Sequence, residues 1–264
     1  MTSIPEEPLA ANEPAGSERQ GVQVIARAAA LLRALERKPE GMSLGELARA
    51  VGLARSTVQR IVDALHDEGF VIASSALNGV RLGPAILALA AATQFQIAEA
   101  ARSTLEALSK ECGETVDLSI ADYDKTVFID QIVGSHRLTA MSAVGVSFHL
   151  HASANGKAVL AAMTDAEIAK LRKRIKLAAI TANTITNWER LDIEIARIRA
   201  EGLAFDHEEN ALGISAVSMA IRSPSGEIAA ISIPAPTQRF NASRDALEAS
   251  LRTHVNALQR SFAR

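Results

Sequence analysis

Cysteine is nearly absent from this chain. Its 264 residues include one, Cys112, which excludes an internal disulfide framework and leaves too few thiolates for a structural zinc finger. The expected compartment is therefore a reducing cytoplasm. Aromatic residues make up only 3%, too few for a surface that stacks single-stranded nucleic acid. An excess of one charge is also lacking. The net charge of -2 excludes a uniformly basic coat, though not a local patch. No apolar run approaches the ~20 residues that span a bilayer. The most apolar later stretch, Ala85 to Ala92, reads as an alanine-rich helix, and no membrane partner is expected.

What is present suits a globular protein. Hydrophobic residues are 48% and charged residues 22%. At roughly 150 residues per domain, the length suggests about two domains. Residues 1–20 carry Pro5, Pro8 and Pro14 with Glu6, Glu7, Glu13 and Glu18, and have no apolar run. They read as a disordered acidic tail and not as a signal peptide.

Residues 21–83 read as three helices and a hairpin. Val22, Ile25, Ala29, Leu32 and Leu35 recur at helical spacing until Pro39 and Gly41 stop the pattern. Ser43 and Glu46 form a capping box at the start of a second helix, lined by Leu44, Leu47, Ala48 and Val51 and stopped by Gly52. A third helix starts near Ala54, with Val58, Ile61, Val62 and Leu65 as its apolar stripe. Two short helices joined by a glycine-containing turn are the helix-turn-helix pattern. Phe70-Val71-Ile72 and Val80-Arg81-Leu82 are short strands around Asn78-Gly79, a strong hairpin signal, and form a wing.

Opposite its stripe, the third helix carries Ser56 and Arg60, flanked by Thr57 and Gln59, with Arg55 at its start. A recognition helix meets base edges with its N-terminal residues. Gln and Arg suit bidentate contacts to adenine and guanine, and Ser and Thr bond phosphate or base. The candidate DNA-binding residues are Ser43, Arg55, Ser56, Thr57, Gln59, Arg60 and Arg81. From Gly21 to Gly83 eight Lys/Arg face six Asp/Glu, so the head is mildly basic. Double-stranded DNA is preferred over RNA, because a helix enters the DNA major groove and not that of A-form RNA. A protein-docking scaffold is the bland alternative for such a head.

Several runs together resemble the IclR family of bacterial transcriptional regulators. They include Ser43-Leu44-Gly45-Glu46-Leu47-Ala48, Arg55-Ser56-Thr57-Val58-Gln59-Arg60, Arg81-Leu82-Gly83-Pro84, Glu111-Cys112-Gly113-Glu114-Thr115-Val116, Ala152-Ser153-Ala154-Asn155-Gly156-Lys157, Gly202-Leu203-Ala204-Phe205-Asp206 and Ile231-Ser232-Ile233-Pro234. The resemblance covers nearly everything from residue 22 onward. It implies a winged helix-turn-helix, a linker helix, a GAF-like effector domain, and homodimers that often pair into tetramers. The chain departs from the family at Ala54 and Arg55, where proline and lysine are common, and at Val80, where an aromatic or basic residue is common.

Read from its residues alone, the rest begins with a helix opened by Pro84, and the resemblance makes residues 84–97 the linker helix and 98–264 the effector domain. A helix near Ile97 to Cys112 precedes strands over Thr115 to Ile120, Thr126 to Val133 and Leu138 to Ala143. Helices follow from Lys157 to Met163, after a Thr164/Glu167 capping box, and after a Thr186/Glu189 box with its stop at Gly202. Ala216 to Ile221 and Ile228 to Ile233 form a hairpin, and Asn241 to Phe262 is a closing helix. The fold class is α+β with an antiparallel sheet.

Small residues lead from His151 into a helix whose free N–H groups suit a carboxylate. The resemblance implies that Ala154 and Asn155 meet such an effector, with Asp206, Ala216 and Ser232 lining the same pocket. Pro234 stands where the family has a second serine, which favours a ligand with an apolar part. Met141, Ser142 and Met219 are expected in the walls from their strand positions. His149 and His151, two apart on a strand, face opposite sides and chelate no single metal. Asp206-His207-Glu208-Glu209 reads as a solvated acidic loop, and Cys112 as inert. His151, Ser153 and Asp206 supply the residue types of a hydrolytic triad, but no Gly-x-Ser-x-Gly elbow surrounds Ser153, so an enzyme acting on a carboxylate is the lesser reading. No cofactor or metal is expected. The reading is a transcriptional regulator, a repressor by default, that binds a double-stranded operator and answers to a small carboxylate effector.

Overall fold

A computed structural model of the chain describes residues 17–74, 79–92, 96–223 and 225–262. The chain divides between 94 and 95 into two compact units.

In the first unit, α1 (Ser17–Glu36), α2 (Leu44–Val51) and α3 (Arg55–Asp67) enclose a core of Leu31, Leu35, Leu47, Val58, Ile61 and Val62. The helix α1 opens at Ser17, inside the span expected as tail; residues 1–16 lie outside the described residues. The Ser43/Glu46 capping box is formed on both sides, and Gly52 takes the left-handed conformation at φ 65°. The wing strands β1 (Val71–Ser74) and β2 (Gly79–Leu82) pair antiparallel. The wing turn at Asn78 lies outside the described residues. Gly79 is constrained twice: its φ is 105°, and a Cβ there would stand 2.4 Å from the Met42 carbonyl oxygen. That close approach lets Met42 and Val80 exchange backbone hydrogen bonds of 2.8 Å, tying the wing to the turn before α2. The unit's last helix is α4 (Ala85–Ala92), and residues 93–95 of the expected linker lie outside the described residues.

The second unit is one six-stranded antiparallel sheet with helices on both faces. Its strands are β3 (Val116–Asp122), β4 (Lys125–Ile132), β5 (Ser147–His149), β6 (Ala204–His207), β7 (Ile214–Arg222) and β8 (Ile228–Pro236), in the order β5-β4-β3-β8-β7-β6. One face packs against α5 (Gln96–Cys112) and α9 (Thr237–Phe262) through Val116, Leu118, Val217, Met219, Ile231 and Ile233. The other meets α6 (Ala154–Ala162), with α7 (Asp165–Arg172) and α8 (Trp188–Glu201) completing that side. Alternation along β7 and β8 therefore runs large against small. The α5/α9 face takes Val217, Met219, Ile231 and Ile233, while the α6 face takes Ala216, Ser218, Ser232 and Pro234. Small side chains on the second face leave room between sheet and helix.

Several expectations need correction. Leu138 to Ala143 is not a strand. The edge of β4 is taken by β5, paired through Lys125 to Val127, and the 138–143 segment is held by side chains instead: Arg239 donates to the Leu138 carbonyl and Ser142 to Asp117. The strand β6 was not expected. Met219 belongs to the core on the α5/α9 face, because its position in β7 has the opposite parity to Ala216. Asn187, and not Thr186, caps α8, its side chain accepting from the Arg190 N–H at 2.9 Å. Thr164 and Glu167 do form their box, and Gly202 closes α8. The helix α6 starts at Ala154, ahead of Lys157, and α9 at Thr237, ahead of Asn241. Pro224, expected in the β7–β8 turn, lies outside the described residues.

Candidate functional site

Two regions carry chemistry, one in each unit. In the first, α3 buries Val58, Ile61 and Val62 and turns its other side outward. Arg55, Ser56 and Arg60 are exposed, and Thr57 and Gln59 are half-buried at the edges. Its N-cap, Ala54, makes no side-chain cap, so the first N–H groups of the helix stay available to an anion. Arg55 and Arg60 pair with no carboxylate among the described residues. Gln59 Nε2 donates to Asp63 Oδ1 at 2.7 Å, a bond along the helix that orients the amide. Ser43 is exposed but occupied, its hydroxyl donating to Glu46 Oε2 at 2.8 Å and accepting from the Glu46 N–H at 3.2 Å. Arg81 stands exposed on β2, opposite Ile72.

In the second unit, a cavity of about 240 Å³ lies between the small-residue face of the sheet and the start of α6. Met141, Ser142, Ala154, Asn155, Asp206, Ala216 and Ser232, the expected effector residues, all line it. Their convergence follows from strand register. Asp117 pairs with Ser232 across β3 and β8, Ala216 with Pro234 across β7 and β8, and Asp206 with Ala216 across β6 and β7. The segment 139–142 closes one side. Above this floor, Ser153 caps α6 by accepting from the Gly156 N–H at 3.2 Å. Only glycine fits at 156, because a Cβ would meet the Leu150 carbonyl oxygen at 2.4 Å. Asn155 Nδ2 donates to Ser119 Oγ and Thr126 Oγ1, each at 3.0 Å, which pins α6 to the sheet.

Sequence reasoning missed the other half of the wall. Phe128 and Phe148 meet edge to face with ring centroids 5.0 Å apart. Asp117 accepts from Gln131 Nε2 at 2.6 Å and from Ser142 Oγ at 3.0 Å. Burial outweighs these two donors and pushes its carboxyl up to about 6. Asp206 accepts from the Glu209 N–H at 2.6 Å. Burial, aided by the Glu209 charge, raises its carboxyl to about 7.

The acidic run from Asp206 is not a solvated loop. Asp206 and Glu209 are buried, and Glu209 Oε1 lies 2.5 Å from Lys157 Nζ, itself almost wholly enclosed. Folding places Lys157 one turn inside α6, facing β6 and its following turn, and its ammonium draws Glu209 inward. His149 and His151 also differ from expectation. His151 leaves the strand for a turn, and the two rings come within 5.7 Å, with His151 Nε2 at 2.9 Å from the Ala178 carbonyl. Among the described residues no group of three or more His, Cys, Asp or Glu could hold a metal ion. Cys112 is partly buried, which pushes its thiol up, away from the reactive thiolate.

Residues 89–260 match the family model described as "Bacterial transcriptional regulator IclR C-terminal", and residues 24–72 match "IclR helix-turn-helix domain". The chain belongs to the IclR family of bacterial transcriptional regulators. The family's proteins are DNA-binding regulators and not enzymes. A regulator of Mycobacterium tuberculosis, "HTH-type transcriptional regulator Rv1719", is 45% identical over 242 residues, covering 92% of this chain and 93% of the relative. The "Transcriptional repressor IclR" of Escherichia coli K12 is 30% identical over 242 residues, covering 90% and 87%. An IclR homolog from Microbacterium hydrocarbonoxydans, solved with 4-hydroxybenzoate, shares the fold at TM-score 0.76 and 21% identity, covering 91% and 99%. The helix-turn-helix match over residues 24–72 contains α2 and α3. Among the described residues no helix is long and apolar enough to cross a membrane.

Proposed function

We propose that the chain is a cytoplasmic repressor that binds operator DNA as a homodimer, or a pair of dimers, and is controlled by a small organic effector held in the cavity of the second unit. The observation that carries the reading is the exposed edge of α3. Arg55, Ser56 and Arg60 project from a helix whose opposite stripe is buried, and no carboxylate among the described residues neutralises the two arginines. Arg60, one turn into the helix, is assigned to a guanine edge, and Gln59, oriented by Asp63, to an adenine. Arg55, Ser56, Thr57 and Arg81 are assigned to phosphates and flanking bases, while Ser43 acts mainly through its cap. Two recognition helices of a dimer must meet half-sites about 34 Å apart, or a multiple of that. An effector acts only by binding the DNA-competent and DNA-incompetent states unequally. The name of the Escherichia coli relative supports repression.

The α6 N-terminus, with Ala154 and Asn155 leading, offers backbone N–H groups to an acceptor oxygen of the effector, which is why the sequence raised the expectation of a carboxylate. Footprinting identifies the operator, and mobility shifts then compare variants. Arg60→Ala is expected to weaken specific binding by ~1–3 kcal/mol and to relax preference at one base pair. Equal loss on every sequence would assign Arg60 to the phosphate backbone instead. Ser232→Ala is expected to blunt the effector response and leave effector-free DNA binding intact.

A further inference from the structure

Inside the cavity, the charged residues are Asp117 and Asp206, and no lysine or arginine is among its lining residues. The register places the two aspartates on β3 and β6, three strands apart on one face, so they bound opposite ends of the floor. Two nearby cations are already paired. Lys157 Nζ lies 2.5 Å from Glu209 Oε1 and 3.7 Å from Glu194 Oε1, and Arg239 pairs with Glu114. A carboxylate ligand would bring a further acidic group beside these two buried carboxyls, with only the start of α6 to favour it among the lining residues. Phe128, Phe148 and Ile214 supply an apolar middle.

Resting on the effector reading of this cavity, we infer that its ligand is a small molecule with an apolar body and a hydrogen-bond-donating end, an alcohol, phenol or amine, and that it discriminates against carboxylates. The donor end meets Asp117 or Asp206. A hydroxyl also accepts from the N–H groups at the start of α6, as a carboxylate would, without adding charge. An ammonium ion also gains where it meets a phenylalanine ring face. Burial holds both aspartates above the usual carboxylate range. The neighbour's 4-hydroxybenzoate carries both kinds of end, so it does not separate the two readings.

Matched ligands do separate them. Calorimetric titration of the full chain at neutral pH uses benzyl, phenethyl and hexyl skeletons, each as carboxylate, alcohol and ammonium. The expected result is that the alcohol or ammonium of at least one skeleton binds about tenfold tighter than its carboxylate, the size of one unmet buried hydrogen bond. Asp206→Asn is expected to shrink that preference several-fold. The ranking is measured on the unaltered protein and does not depend on any variant folding. Carboxylates that bind as tightly or more tightly overturn the inference while leaving the cavity as the effector site, provided that Ala216→Phe, which fills the cavity, abolishes their binding. If no member of the series binds, or a correctly folded Ala216→Phe protein binds as before, the effector reading falls and the inference with it.

Discussion

Arg55 and Arg60 of the first unit stand in solvent without a carboxylate partner among the described residues, whereas Lys157 of the second is almost wholly enclosed between Glu209 and Glu194. The first arrangement costs the fold little, since an exposed guanidinium keeps its water. It leaves the charge free for a phosphate or a base. The second is costly unless every partner is in place. One unit thus holds its charge outward for a partner, and the other holds charge inward around a cavity. Buried polar groups in the second unit are where its stability and its proposed ligand chemistry meet.

The largest test of that contrast removes Lys157. Lys157→Met leaves Glu209 buried without a cation, and its Oε2 already lacks a hydrogen-bond partner. A loss of ~3–5 kcal/mol is expected for the second unit, and Glu209→Leu in the same chain should recover much of it. Trp188, the only tryptophan, sits in α8, so its fluorescence in a urea titration follows this unit. No change in midpoint would show that the buried pair contributes nothing.

Proton linkage comes next. Asp117 and Asp206 titrate near 6 and 7 when folded, above an unfolded value of about 3.9. Between about pH 4 and pH 7 the folded state binds more protons than the unfolded one, so these groups make stability fall as pH rises through that window. Asp206→Asn should flatten the upper part of the fall, followed by the Trp188 signal. A slope unchanged by the substitution would count against a protonated Asp206.

Ser43 sharpens the comparison from the other side. Ser43→Ala is expected to cost the first unit ~1 kcal/mol through its lost cap, read by helical circular dichroism. If operator affinity fell while that stability held, the hydroxyl would belong with the reading groups. The smallest effect concerns Arg55→Ala, which should reduce the salt slope of DNA binding by about one. An unchanged slope would remove Arg55 from the phosphate contacts.

Much of the first unit was legible in the amino-acid order. Its signals are local: Ser43 with Glu46, Gly52, the stripe at Val58, Ile61 and Val62. Each acts within a few residues, so spacing alone exposes it. In the second unit the seven effector residues do converge, but resemblance indicated five of them; spacing along the chain did not. Asp117, Phe128 and Phe148 escaped notice because they look like ordinary strand residues. The strand assigned to Leu138–Ala143 failed because alternation cannot tell a paired edge from a segment held by Arg239 and Ser142.

The sequence by itself determined both ends of α2, the start of α7 and the stop of α8, which side of α3 faces outward, and that β7 and β8 alternate large with small residues. These follow from backbone geometry and short-range capping. Tertiary structure alone decided that Asp117 and Asp206 share a cavity, that Lys157 neutralises Glu209, and that Met219 turns away from the site. Strand order joins residues nearly a hundred positions apart, and burial then sets their charge. Neither quantity is written in any local stretch of the chain.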